Sequence, residues 1–139
     1  MNAPSATAKP CTLRVLIATQ SADTGTAIVS LLGEPSDIAY QLVSLPDSLA
    51  LQKAMADSDV VHLVVLDLEP WLSTTLQSVP FLKSRASPPL VVALGHSIGE
   101  PMRRQCRNAG VDYLFDRVGE LEKLQNVMTN FALRLSEAP

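Results

Sequence analysis

The segment Val60-Val61-His62-Leu63-Val64-Val65-Leu66-Asp67 decides how this chain folds. Apart from His62 it is aliphatic up to Asp67, with no polar alternation. A strand of that kind is buried on both faces, as in a parallel sheet covered by helices. The run closes on a carboxylate, at the point where the strand hands the backbone to a loop at the sheet edge. Asp67 is therefore the leading candidate for chemistry, because a carboxylate there suits phosphate or metal binding.

A second uninterrupted aliphatic run at 90–94 repeats the signature, and shorter strand patterns stand at 12–18, 38–44 and 112–115. Helical patterns fall between them. Ile28, Leu31 and Leu32 share a face behind the capping residues Ser21 and Asp23, and Gly33 supplies a left-handed stop. Asp47 or Ser48 opens a second helix with Leu51, Ala54 and Met55 on one face, and Ser73 opens a third carrying Leu76 and Val79. A proline inside that third helix costs about 3 kcal/mol through a lost hydrogen bond and a collision with the preceding turn. Pro80 therefore leaves its end undetermined. Pro101 suits the first turn of a fourth helix, with Met102, Cys106 and Ala109 facing inward and Gly110 ending it. The fifth carries the stripe Leu121, Leu124, Val127, Met128, Phe131 and Leu135, with Glu120 and Glu122 at its positive N-terminal end. Strand and helix alternating five times predict a (βα)5 fold of the α/β class: an open, doubly wound, five-stranded parallel sheet in three layers, flavodoxin-like in plan. Its crevice is expected beyond the carboxyl ends of the strands, where strand order reverses.

A chain of 139 residues has the size of one domain. We place that domain at 12–136, after a flexible tail at 1–11 that has no apolar core and does not read as a secretory signal. A hydrophobic fraction of 47% against 18% charged residues argues for a folded chain rather than a disordered one. No apolar run approaches the roughly 20 residues needed to span a bilayer, so no membrane insertion is expected. Cys11 and Cys106 lack CxxC spacing and suit reduced thiols in a cytoplasmic setting better than a disulfide or zinc site. A net charge of -3 disfavours nonspecific binding to nucleic acid.

Two stretches resemble the CheY-like receiver domain of bacterial two-component response regulators. Val64-Val65-Leu66-Asp67-Leu68 is similar to the phosphoacceptor strand. Cys106-Arg107-Asn108-Ala109-Gly110-Val111-Asp112-Tyr113-Leu114-Phe115-Asp116-Arg117 is similar to the passage from the fourth helix into the fifth strand. The resemblance runs from Thr12 to Leu135. It implies a signalling role in which a kinase histidine passes a phosphoryl group to Asp67. Mg2+ makes such a transfer possible by offsetting the repulsion between carboxylate and phosphoryl oxygens, with octahedral oxygen coordination at about 2.1 Å.

The positions that would supply the rest of that chemistry depart from the family pattern. Its acidic pair after the first strand matches Thr19 and Gln20, neither of them anionic. Glu69 offers a second carboxylate, but two residues past the acceptor, where the family uses a backbone carbonyl. The hydroxyl residue ending the fourth strand matches Gly95, and the lysine after the fifth strand matches Arg117, a planar fork in place of a compact ammonium. Pro70 arrives three residues after Asp67 rather than four, followed by Trp71. The pattern resembles a pseudo-receiver, which keeps the fold as an interaction module.

Each pointed reading has a plainer one beside it. Asp67 is expected to pair with Arg117 more readily than to accept phosphate. His62 and His96 lack a third ligand at metal spacing; the first reads as a strand residue at the sheet periphery and the second as a loop residue near the crevice. Arg103, Arg104 and Arg107 cluster on the fourth helix as a partner surface or simply a solvated face, with no aromatics interleaved for base stacking. Trp71 either anchors a partner or covers the core. The expectation is a non-enzymatic, receiver-like signalling protein of bacterial type, with no catalytic residue, metal or cofactor. Its partner would be a protein, a histidine kinase or a separate output protein. The resemblance also implies a homodimer through the face of the fourth helix, fifth strand and fifth helix. A first alternative is a competent response regulator with an atypical Mg2+ site using Glu69. A second is a small ligand-binding flavodoxin-like domain, disfavoured because residues 19–25 hold no glycine-rich phosphate loop.

Overall fold

The computed structural model describes residues 13–19, 22–32, 38–44, 53, 55–56, 61–68, 75–85, 87–116 and 119–137. In chain order its elements are β1 (Leu13–Thr19), α1 (Ala22–Leu32), β2 (Ile38–Ser44), β3 (Leu63–Asp67), α2 (Val79–Lys83), β4 (Leu90–Gly95), α3 (Glu100–Ala109), β5 (Tyr113–Asp116) and α4 (Leu121–Glu137). The strands form one parallel sheet in the order β2-β1-β3-β4-β5. Strand order reverses between β1 and β3, so their carboxyl ends, Thr19 and Asp67, flank the switch point of a doubly wound sheet. This is the α/β architecture that the strand pattern predicts.

The unbroken aliphatic strands are explained by two cores, one on each face. Leu63 and Val65 join Val15, Ile17, Val92 and Leu94 under Ile28 of α1 and Leu124 and Met128 of α4. Val64 and Leu66 turn the other way and join Leu16, Val91 and Ala93 under Met55, Val79 and Leu82 of α2, and Cys106 of α3. Successive residues of a strand point to opposite faces, so burial on both sides requires apolar residues at every position.

Differences from the sequence expectations are local. The aliphatic run before Asp67 is strand from Leu63; Val61 before it is buried, and His62 already bonds to both sides, its N–H donating to the Arg14 carbonyl at 3.0 Å and its carbonyl accepting the Leu90 N–H at 2.9 Å. The third helical segment is broken. Thr75 and Leu76 are helical, a turn follows at Gln77 and Ser78, and α2 then starts afresh with Pro80 in its first turn, where the missing N–H costs nothing. Helix α3 has Pro101 in its first turn, as expected. It ends at Gly110, whose φ of 105° lets its N–H reach the carbonyls of Cys106 and Arg107. Of the second helical segment, Lys53, Met55 and Ala56 are helical. The expected tail at 1–11 and the helix-stop Gly33 lie outside the described residues.

At the end of the sheet opposite the crevice, Lys83 Nζ donates to Asp112 Oδ2 at 2.6 Å and to the Pro89 carbonyl at 3.0 Å. The same Asp112 oxygen accepts the Val91 N–H at 2.8 Å, tying α2, β4 and β5 together. His62 closes this end on the other side. Its Nδ1 accepts the Arg14 N–H at 2.9 Å, which leaves the ring proton on Nε2, and the ring meets Phe131 of α4 edge-on at 6.1 Å.

Burial, followed by the charge of Arg14, holds the His62 imidazole below its ordinary value of 6.5. The folded state thus favours the neutral ring, which alone can accept from Arg14. Its contribution to stability is full above that ordinary value and falls as pH drops through the lower folded value. Urea midpoints measured from pH 7.5 to 5 are expected to decline more steeply in the native chain than in His62→Gln.

Candidate functional site

Asp67 is the last residue of β3 and is 1% exposed. The strand continues to hold its successor: the Leu68 N–H donates to the Leu94 carbonyl at 2.9 Å, so the backbone around Asp67 is part of the ladder and not a loose loop. Thr19, 4% exposed, ends β1 beside it. The Thr19 hydroxyl donates to Asp67 Oδ2 at 2.8 Å. A buried carboxylate carries a desolvation cost of several kcal/mol unless donors meet it, and this hydroxyl is one of the groups that does so.

Gly95 ends β4, one strand further along, opposite Asp116 of β5. Its missing side chain leaves no open space. A Cβ built there would stand 2.8 Å from Met102 Sδ and 3.3 Å from Ile98 Cγ1. The backbone delivers those side chains by a tight turn in which Ser97 adopts a left-handed φ of 54°, returning Ile98 over the strand end before α3 begins. Ile98 and Met102 are the residues that sequence reading missed at this site. Met102 was legible as core-facing, but a glycine carries no signal of what fills the space beside it.

The fourth corner of the crevice is the turn after β5. The Asp116 N–H donates to Glu120 Oε1 at 2.7 Å, the Glu120 N–H returns to the Asp116 carbonyl at 3.1 Å, and Lys123 Nζ meets Glu120 Oε2 at 2.7 Å. The Lys123 hydrogen bond, helped by the Asp116 N–H, pulls the Glu120 carboxyl below its ordinary range. Gly119, at φ 99°, makes the reversal possible.

The structure therefore brings together Thr19, Asp67 and the Gly95 notch. Gln20, Glu69, Trp71 and Arg117 lie outside the described residues, and so does the expected Asp67–Arg117 ion pair. His96 is exposed in the loop after β4. Among the described residues no three His, Cys, Asp or Glu side chains gather in a way that would hold a metal ion. Arg103, Arg104 and Arg107 are all exposed on α3, and Arg103 and Arg107 border a cavity of about 280 Å3 between that helix and β5.

No protein-family model matches this sequence, and no curated protein matches it either. Solved structures do. A pilus assembly-related protein of Burkholderia pseudomallei superposes with a TM-score of 0.73 at 12% identity, over 92% of this chain and 93% of its own. The signal receiver domain of the DNA-binding response regulator merR of Colwellia psychrerythraea gives a TM-score of 0.70 at 14% identity, over 86% of this chain and 98% of its own. The fold is that of receiver domains. A pilus assembly protein, cpaE of Burkholderia thailandensis, shares it with a TM-score of 0.69 at 13% identity, over 86% of this chain and 98% of its own. Within the receiver fold, Asp67 holds the strand-end position of the phosphoacceptor resemblance, and Gly95 ends the neighbouring strand.

Filling the Gly95 notch is expected to be costly. Gly95→Thr should destabilise the chain by about 1–3 kcal/mol through overpacking, despite the better strand propensity of threonine. The loss should shrink in a Met102→Ala background, as read from denaturant midpoints. Equal losses in both backgrounds would mean that Met102 does not occupy the notch.

Proposed function

We propose that this chain is a receiver-like signalling module that works through protein contacts, without an aspartyl-phosphate cycle and without acting as an enzyme. Its setting in this reading is bacterial and cytoplasmic; among the described residues no helix is long and apolar enough to cross a membrane. The observation that carries the reading is the Thr19–Asp67 hydrogen bond. Where the resemblance implies an acidic metal ligand after β1, this chain has a hydroxyl that donates its proton to an Asp67 oxygen. Mg2+ asks for oxygen ligands with anionic character in octahedral array, and the described residues at this corner supply one carboxylate and one neutral hydroxyl. That pair by itself does not complete such an array. Without a divalent cation, a second anionic group brought against a buried carboxylate meets repulsion that a neutral hydroxyl does not offset.

The Gly95 notch supports the same reading. A hydroxyl side chain at the end of β4 would report a phosphoryl group by bonding to it, and here thioether and isoleucine carbons take that volume. The fold is not confined to proteins named as response regulators, since two of the structural neighbours are described as pilus assembly proteins. A histidine kinase or a separate output protein remains the class of partner this reading implies, with the face of α3, β5 and α4 as the surface for docking or for a second copy.

The test is intact-mass analysis after incubation with acetyl phosphate and millimolar Mg2+. No phosphoryl adduct is expected. An adduct that disappears in Asp67→Asn would show a competent response regulator and end this reading.

A further inference from the structure

A methionine sulfur is oxidised where an oxidant can reach it, and exposure separates the methionines of the described residues. Met55 is 0% and Met128 2% exposed, each inside one of the two cores. Met102, in the first turn of α3, is only partly buried, at the margin of the core beneath that helix. Met1 lies outside the described residues. Cys106, one turn further along α3, is the other oxidisable group on this helix. It is 2% exposed, and burial holds its thiol pKa above the ordinary value. Such a thiol offers an oxidant little thiolate, whereas a thioether reacts without first losing a proton.

The place of the Met102 sulfur gives its oxidation a structural consequence. A Cβ at Gly95 would stand 2.8 Å from Sδ, so the thioether lies against the end of β4 with no room on that side for an added atom. Ile98 Cγ1, 3.3 Å from the same point, closes the notch with carbon. A sulfoxide oxygen is a polar acceptor, and the side chains walling this notch offer it no donor. Oxidation therefore drives the sulfur out toward water. The turn that seats Ile98 is poised to move with it. Ser97 holds a left-handed φ of 54°, a conformation that persists in a residue other than glycine only while its surroundings enforce it.

We propose that Met102 is a reversible oxidation site for peroxides, and that its sulfoxide releases the first turn of α3 from the end of β4. In the step a sulfur lone pair attacks one peroxide oxygen, and the S–O bond forms as the O–O bond breaks. The departing hydroxide takes the proton left on the transferred oxygen and becomes water. Sulfur loses two electrons and the peroxide gains them. A dithiol acting through a methionine sulfoxide reductase reverses the change, yielding a disulfide and water. The site lies on a different strand end from Asp67 and gives the chain a chemical input that needs no phosphoryl group.

The test is hydrogen peroxide treatment of the full chain, with peptide mapping of each methionine and amide exchange in α3 followed by NMR. Met102 should gain one oxygen at least about tenfold faster than Met55 or Met128, as its exposure dictates. The Arg103 N–H, which donates to the Gly99 carbonyl at 3.1 Å in the first turn, should then exchange about tenfold faster. The Val111 N–H, bonded to the Cys106 carbonyl at 3.0 Å beyond the far end of the helix, should keep its rate. A methionine sulfoxide reductase with dithiothreitol should restore slow exchange at Arg103. Met102→Leu keeps an apolar side chain of similar volume, and peroxide should leave Arg103 exchange unchanged in it. Met102→Gln, which brings a polar group to the notch without any oxidant, should reproduce the faster exchange. Equal oxidation rates at Met55, Met102 and Met128, a Met102 sulfoxide that leaves Arg103 exchange as it was, or a rise that persists in Met102→Leu would each overturn the inference.

Discussion

A carboxylate enclosed at the end of a central strand governs how this molecule can work. Asp67 is almost inaccessible, and a charge in that position persists only if donors replace the water it has lost. One such donor is a threonine on the adjacent strand. Threonine satisfies a carboxylate without bringing in a second negative charge, whereas a metal-binding acid would repel Asp67 until a cation joined them. The residue at position 19 is thus what the proposed reading rests on, an anion held by hydrogen bonding in place of one that depends on a divalent ion.

The neighbouring strand tells the same story through packing. At Gly95 a Cβ would stand 2.8 Å from Met102 Sδ and 3.3 Å from Ile98 Cγ1, so a side chain there would require these neighbours to shift. Interiors packed at that density do not deform continuously, so the first turn of α3 is seated directly on the strand end.

The architecture was readable from the strands because double-sided burial demands uninterrupted aliphatic residues, and the runs ending at Leu66 and Leu94 meet that demand. Where a strand begins was less readable. The paired residues of β3 begin at Leu63, although His62 already exchanges backbone hydrogen bonds with Arg14 and Leu90. Pro80 signalled trouble in a helix, and the chain resolves it by restarting the helix around the proline, an outcome that depends on the turn at Ser78 and not on local propensity. At the site, Asp67, Thr19 and Gly95 were each identifiable by position and residue type. Their relations were not: a hydrogen bond between residues 48 apart and a thioether lying in a glycine notch are properties of the assembled sheet.

The central claim is that the Asp67 carboxylate is held by hydrogen bonding and does not ligate a divalent cation. Carboxyl 13C NMR of the native chain during titration with Mg2+ to millimolar concentration tests it at the atom concerned. An Asp67 resonance that stays in place is the expected result. A saturable shift of that resonance, absent in Asp67→Asn, would contradict the account.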